Sequence, residues 1–396
     1  MQPGVVVTGI GIISAIGNGI EETLTSLFNK KSGIGKIRWL ESSISGIPVA
    51  EVRHSTDELA EIAGTKTEPG IFTRNTLLAL IAAQQSVEMS KWTDLEAHQT
   101  GLVMATTVGG MDYNEKHYQS FLAGLEKGKE VSVLDSSDTT EKLAARFGIH
   151  HNITTISTAC SSSANAIMLA SRLIRNGKLT RVLAGGSDAL TRFTLNGFRG
   201  LELLSSKGCS PFDAGRDGLT IGEGAAMLML ESDQTADMSK ALSRITGYAN
   251  VNEAYHQTSS SPDGAGAFMA MSECLMSAGL KPGDIGYINA HGTGTGINDL
   301  AEGVAIDRLF GKKAPPVSST KSFTGHTLGA AGAIEAVLSV LAIQEQKIWP
   351  SLNIKETMPE ISFMPSTEIL SLPLNHVMSN SFGFGGNNTS LIFSKV

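Results

Sequence analysis

One cysteine, two histidines, a lysine and a glutamate stand in this chain where their types and surroundings allow joint chemistry. Cys160 lies in "TISTACSSSANAIMLASRLI". The β-branched run "ITTIST" precedes it, and Ala164, Ile167, Met168, Leu173 and Ile174 follow at helical spacing, with Gly177 as a stop. A thiol at a strand-to-helix junction feels unpaired N–H groups and the positive helix end, which favour thiolate and can hold an oxyanion. A free cysteine also serves as a small buried hydrophobe, and this stretch alone leaves both readings open.

Of the nine histidines, two stand apart. His291 ends the apolar run in "IGYINAHGTGTGIND", and His326 lies in "SSTKSFTGHTLGAAGA", just ahead of an Ala- and Gly-rich apolar segment. Each alone reads equally as a satisfied core histidine; together they suggest convergence on one site. His54, His98, His117, His150, His151, His256 and His376 read as surface residues. Glu335 falls inside apolar "GAAGAIEAVLSVL", where a lone acid requires a partner, and Lys321 is the natural one. A purely structural ion pair fits that pattern too. In "SNSFGFGGNNTSLIF", glycines around Phe382 and Phe384 permit close backbone approach and let either ring swing; a structural turn remains open.

The elements that must position these residues alternate. Short β-prone runs ("GVVVTGIG", "TGLVMATTVGG", "RVLAGGSDA", "AAMLMLES", "IGYINAHG", "TSLIFSKV") are separated by helical patterns, which argues for α/β layers. Polar "ESDQTADMSKALSR" (231–244) reads as a connection between an N-terminal half, 1–242, and a C-terminal half, 243–396. "STACSSSANAIMLASRLIRNG" echoes "STKSFTGHTLGAAGAIEAVLSVLAIQ": each opens on small polar residues and continues as a small, apolar helix suited to burial between sheets. An internal duplication follows, with both helix starts facing one site.

Composition narrows the classes. The 396 residues are 41% hydrophobic, enough for a large core. No stretch of about 18 apolar residues is expected to span a membrane, and "MQPGVVVTGIGIIS" has no basic leader. Cys160, Cys209 and Cys274 form neither a disulfide framework nor a CxxC pattern, which fits the cytoplasm; Cys209 reads as packed in a loop and Cys274 as core. A net charge of −7 argues against nucleic acid as the main partner. Two lookalikes fail: "VVVTGIGIISAIG" has Ser14 at the third glycine of a dinucleotide fingerprint, and "HGTGTGIND" lacks the GK[ST] of a phosphate loop.

Six motifs in order resemble the β-ketoacyl-acyl carrier protein synthases of the elongating type: "VVVTGIGIISAIGNG", "TACSSS", "PFDAGRDGLTIGEGAAMLMLE", "YINAHGTGTGIND", "SSTKSFTGHTLGAAGAIEAV" and "NSFGFGGNN". The resemblance covers almost the whole chain. It implies a thiolase-like fold, two duplicated α/β halves in a five-layered α-β-α-β-α sandwich. Cys160 would take an acyl chain from acyl carrier protein. His291 and His326 would support decarboxylation of malonyl carrier protein by stabilising the enolate, and the carbanion would attack the Cys160 thioester. The product is a β-ketoacyl-acyl carrier protein two carbons longer. The amides of Cys160 and Phe384 would form the oxyanion hole, and Lys321 with Glu335 would order the site. Thr293 and Thr295 match positions touching the carrier arm; Val108 and Phe198 match acyl-pocket positions, and Phe382 joins the substrate contacts.

A Cys-His-His set points to elongation, because the priming synthases carry Cys-His-Asn. Thiolases use a second cysteine as base, but Cys209 and Cys274 lie outside the motifs; non-catalytic chain-length-factor subunits lack the nucleophile. The expected pathway is type II fatty acid synthesis, with a specialised polyketide or polyene pathway as the alternative. "TACSSS", "HGTGTG" and Asn387, where threonine is usual, favour the alternative. The resemblance implies a stand-alone enzyme without metal or redox cofactor, its substrates carried on phosphopantetheine. Its partners are acyl carrier protein and a second subunit, as a homodimer or a heterodimer; neither nucleic acid nor membrane is expected. Lys66 and Arg74 flank the expected carrier-docking region, whose basic cluster is thin, and Glu202 falls where arginine is common.

Overall fold

The computed structural model describes residues 3–92, 99–124 and 129–396, and of Lys129 and Glu130 only the backbone. Strands form at each β-prone run named above, and further strands, Val317–Ser318 and His376–Phe382 among them, join them. They are β1 (Val5–Ser14), β2 (Thr100–Ala105), β3 (Ile153–Ile156), β4 (Arg181–Asp188), β5 (Gly224–Ser232), β6 (Ser243–Asn252), β7 (Tyr287–Asn289), β8 (Val317–Ser318), β9 (His376–Phe382) and β10 (Asn387–Ser394). Every residue of β1, β2 and β5 is buried, the pattern of strands covered on both faces. The connection expected at 231–244 is shorter, because its first and last residues extend β5 and β6.

The strands lie in the order β3-β2-β4-β5-β1-β6-β10-β9-β7-β8, with Gly17–Asn18 pairing back on β1 in the same eleven-stranded sheet. Outward from β1, the pairings to β5, β4, β2 and β3 run antiparallel, antiparallel, parallel, parallel. Outward from β6, those to β10, β9, β7 and β8 repeat that sequence. Val6–Arg244 and Val7–Ser243 join the halves. The duplication expected from two echoing helices is thus a repeated topology.

Helices complete the layers. α1 (Arg74–Ser90) packs on β1 and β5 from one outer side. α2 (Ser162–Arg175) packs on β4 and β2, and α3 (Arg192–Gly200) lies beyond β4. α4 (Ala265–Ala278) covers β6 and β10 from the other outer side, with α5 (Gly296–Phe310) against it. α6 (Ala331–Glu345) sits beside α2 and touches β9 and β5, so α2 and α6 form the middle layer of five. Small residues permit this: a Cβ on Gly332 would stand 2.7 Å from the Ala164 nitrogen.

α6 is buried from Ala331 through Ile343. With the preceding turn, Leu328–Glu345 is an 18-residue run apolar enough to cross a membrane, contrary to the sequence expectation. Almost all of it is inside the protein, where both faces meet apolar neighbours, and it is a core helix. His150, His151 and His256 are exposed; His54, His117 and His376 are half-buried, and His98 lies outside the described residues.

Candidate active site

The chain turns sharply between β3 and α2. Helix α2 starts behind its N-cap Ser161, so Cys160 precedes the cap, and Ala159 adopts φ 53°. A non-glycine residue takes that left-handed conformation only when its surroundings impose it. Here the Thr158 amide donates to Ser162 Oγ at 2.8 Å, and that hydroxyl donates to the Ala159 carbonyl at 2.6 Å. Burial pushes the Cys160 thiol up to about 11, against the opposing pull of the Phe384 backbone N–H and the Lys321 charge. The thiolate expected at a helix terminus is therefore not the resting form: the sulfur stands outside the first turn, and desolvation outweighs the dipole. Such a thiol needs a base, and His326 Nε2 lies 3.0 Å from Sγ.

His326 is held by its backbone, donating to the Thr220 carbonyl at 2.7 Å and accepting from Gly222 at 3.0 Å. The amides of His291 and Gly292 donate to the Glu302 carboxylate at 2.9 and 2.7 Å. Lys321 Nζ donates to the His291 carbonyl at 2.6 Å and lies 3.2 Å from His291 Nδ1. An ammonium only donates, so Nδ1 accepts and the imidazole proton sits on Nε2. The two imidazoles meet edge to face with centroids 5.3 Å apart. Burial, then the Lys321 charge, holds both well below the ordinary histidine range, so both are neutral near pH 7.

Lys321 forms the ion pair with Glu335 that the apolar helix required, the side chains being 1% and 2% exposed. Burial pushes the Glu335 carboxyl up to about 7, opposed by Lys321. Cys160, His291 and His326 also constitute a soft donor set, with donor atoms within 4.8 Å of one another. The ammonium 3.2 Å from His291 Nδ1 opposes a divalent cation there.

The glycine-rich turn is pressed against the cysteine. A Cβ on Gly383 would lie 3.1 Å from the Thr158 carbonyl oxygen and 3.3 Å from the Cys160 nitrogen. Asn387 fixes the base of this turn: its Oδ1 accepts from Ser161 Oγ at 2.7 Å, Asn165 Nδ2 at 2.8 Å and Asn250 Nδ2 at 2.7 Å. One side chain thereby ties the turn to the cap and first turn of α2 and to β6.

A cavity of about 410 Å³ opens onto these groups. Cys160, His291, His326, Phe384, Thr293, Thr295, Phe198 and Phe382 all line it. Lys321 and Glu335 stand behind His291 rather than in the wall. Val108 is not brought into the lining; it is buried, and its amide donates to Asp188 at 3.2 Å. Arg74, expected near a docking surface, is buried against Glu223, to which Nη2 donates at 2.6 Å. Its position at the start of α1, facing the core, removes it from any surface. Lys66 is exposed and paired with Glu61, and Glu202 is exposed. Cys209 is buried with Sγ 3.2 Å from the Thr293 carbonyl oxygen, and Cys274 is core in α4.

Sequence reasoning missed three groups. Thr258, Ser259 and Ser260 line the cavity from a loop with no distinguishing composition. Asp188 accepts from Thr106 Oγ1 at 2.7 Å and from the Thr107 and Gly329 amides at 2.8 and 2.6 Å, joining the Val108 loop to the start of the middle-layer helix. Glu302 holds the His291 backbone. Both acids sat among apolar neighbours in the sequence, the signal that flagged Glu335.

A buried thiol with a neutral imidazole at hydrogen-bond distance, on a duplicated five-layered scaffold, defines a condensing enzyme of the thiolase-like class. Residues 2–236 match the model "Beta-ketoacyl synthase, N-terminal domain" and residues 242–355 match "Beta-ketoacyl synthase, C-terminal domain". The chain belongs to the β-ketoacyl synthase family and is an acyltransferase. It is 33% identical over 411 residues to 3-oxoacyl-[acyl-carrier-protein] synthase 2 of Staphylococcus aureus (strain N315), covering 99% of this chain and 98% of that protein. Among solved structures, the ishigamide ketosynthase/chain length factor superposes with a TM-score of 0.92 at 28% identity, both chains covered in full. A chain of the complex of the ketosynthase ApeO with its chain length factor ApeC from Xenorhabdus doucetiae gives 0.84 at 31% identity, covering 100% of this chain and 98% of that one.

Proposed function

We propose that the protein elongates acyl chains by decarboxylating condensation, with the acyl group held on Cys160 and malonyl-acyl carrier protein as the second substrate. The observation that carries this reading is the 3.0 Å approach of neutral His326 Nε2 to a thiol that burial keeps protonated. His326 Nε2 takes the thiol proton as sulfur attacks the acyl thioester and passes it to the departing carrier sulfur, which leaves as the thiol. The amides of Cys160 and Phe384 receive the oxyanion. With Cys160 acylated, His326 Nε2 has no thiol to accept from and the neutral ring carries its proton there. Malonyl carrier protein then enters, and the Nε2–H groups of His291 and His326 stabilise the enolate as carbon dioxide departs. The carbanion attacks the Cys160 thioester, the C–S bond breaks, and the product leaves two carbons longer. The cysteine sulfur leaves as thiolate and regains a proton through His326, which is reprotonated from solvent. Lys321, paired with Glu335, fixes the His291 tautomer that makes Nε2 a donor.

Thr293 and Thr295 contact the carrier arm, and Phe198, Phe382 and Phe384 bound the acyl end of the cavity. Substrates arrive on phosphopantetheine, and the chemistry requires no metal or redox cofactor. The working form is a dimer of two such duplicated units in the cytoplasm. The open edge of β3, with Ile153 exposed, and the apolar groove formed by Tyr118, Phe121, Leu134 and Phe193 are the surfaces a second subunit covers.

The pathway is type II fatty acid synthesis. The likeness to chains of the ishigamide and ApeO–ApeC ketosynthase/chain length factor structures favours a second reading, a specialised polyketide or polyene pathway with a chain-length-factor-like partner. Intact-protein mass after mixing with a panel of acyl carrier proteins tests the proposal, with Cys160→Ala as control. The expected result is one acyl increment, absent in the control and cleared by malonyl carrier protein with release of a β-keto product. No increment from any acyl chain would reject the single-subunit reading and move the heterodimer to first place.

A further inference from the structure

We propose that the carrier protein docks on a basic face formed by Lys31, Lys36, Arg38, Arg53, Arg199 and Lys207, and not around Lys66 and Arg74. The proposal rests on the carrier-dependent reading above. It commits to an acidic protein domain as the occupant, on charge complementarity.

The chain carries a net charge of −7, so its overall field repels an acidic partner. Against that background, Lys31, Lys36, Arg38 and Arg53 line one groove. Lys36 and Lys207 line a second, which shares Gly35 and Lys36 with the first. All six basic residues are exposed, and none of their side chains forms an ion pair or hydrogen bond among the described residues. The acids nearby are mostly engaged. Glu51 is buried and accepts from the amides of Arg38 and Leu40 at 2.6 and 2.9 Å. Asp217 accepts from the hydroxyls of Ser205 and Ser206, with Lys207 acting on it through space. Glu41 and Glu202 remain exposed beside the face.

Placement points the same way. Ile37, Leu40 and Ile47 belong to one apolar cluster with Leu195, Phe198, Leu204 and Leu219. Phe198 and Leu219 also line the active-site cavity, so the basic segment lies one layer of side chains behind the cavity wall. Arg199 stands between Phe198 and Leu201, two lining residues, and Lys207 follows lining Leu203 by four positions. The alternative surface offers little: Arg74 is buried against Glu223, and exposed Lys66 is already paired with Glu61.

The experiment compares Cys160 acylation from acyl carrier protein with acylation from an acyl N-acetylcysteamine thioester, which carries the reactive end of the arm and no protein. The variants are the double reversal Lys36→Glu/Arg38→Glu, the single Arg53→Glu and the comparator Lys66→Glu. The double reversal should lower kcat/KM for the carrier about tenfold or more and flatten its fall with rising ionic strength. Loading by the small thioester should stay within about twofold, as removal of a rim charge leaves the chemistry intact. Lys66→Glu should change either substrate by less than about twofold, as an exposed pair contributes little. Carrier loading unchanged by the double reversal, or a larger loss in Lys66→Glu, would overturn the docking proposal while leaving acyl transfer standing. Failure of both donors to acylate the wild-type cysteine would overturn the acyl-transfer reading and the proposal with it.

Discussion

The two halves share a strand topology yet contribute opposite things to the site. The N-terminal half ends its parallel pair in β3 and places a nucleophile on a strained turn, cross-braced by small hydroxyls and by Asn387. The C-terminal half ends its parallel pair in β8 and places charge there instead: Lys321, its partner Glu335 one helix away, and the two imidazoles they organise. α2 is buried on one face and half-buried on the other, where Arg172 reaches solvent, whereas α6 is buried around its circumference from Ala331 to Ile343. The half with the deeper helix therefore holds the ion pair, where low dielectric strengthens its field on both histidines. Duplication supplied two equivalent junctions facing each other. The residues at each junction decided which became nucleophile and which became electrostatic support.

This division can be broken first at the histidines. If the C-terminal junction supplies charge stabilisation, His291→Ala should lose about 10²–10³-fold in malonyl decarboxylation while retaining acylation of Cys160. His326→Ala should impair acylation as well, because it removes the base at 3.0 Å. The same contrast has a pH signature. A Cys160 thiol raised to about 11 is protonated at neutral pH, so iodoacetamide alkylation should rise with pH through 9. A plateau near pH 7 would instead indicate a thiolate–imidazolium resting pair and erase the distinction between the junctions.

The ion pair comes next. Lys321→Ala leaves the Glu335 carboxyl buried without its partner, a loss of about 3–5 kcal/mol for a broken buried pair. Chemical denaturation should show that loss, smaller in Lys321→Ala/Glu335→Gln, where no lone charge is left. If the single variant is as stable as the wild type, the pair is not what holds this half together.

The smallest expected effect sharpens the N-terminal side. Asn387→Ala removes three hydrogen bonds accepted by one oxygen. It should cost about 0.5–1.5 kcal/mol, since each donor keeps a second acceptor in the Thr158 carbonyl, Thr158 Oγ1 or Thr389 Oγ1. Asn387→Thr keeps an acceptor and should cost less. A fall in kcat larger than any rise in KM would place the effect on the Phe384 amide and the cysteine turn rather than on substrate capture.

Much of this arrangement was legible along the chain. β-prone runs marked most of the strands, small apolar helices marked the middle layer, and a glutamate stranded among alanines announced its lysine. Those features are local: periodicity, composition and the cost of burying a charge are properties of short segments. The protonation state of Cys160 was not local. The helix terminus argued for thiolate, and only packing from both halves revealed a desolvation large enough to reverse it. Arg74 misled for the same reason, as an arginine opening a helix looks like surface until Glu223, 149 residues away, is seen against it. Asp188 and Glu302 escaped notice because most of their partners are backbone amides brought together by the fold, and an amide has no sequence signature. Sequence alone determined which chemical groups were present and which elements carried them. Tertiary structure decided their charge, their tautomer and their company, because these depend on dielectric and distance, which arise only when the two halves close on each other.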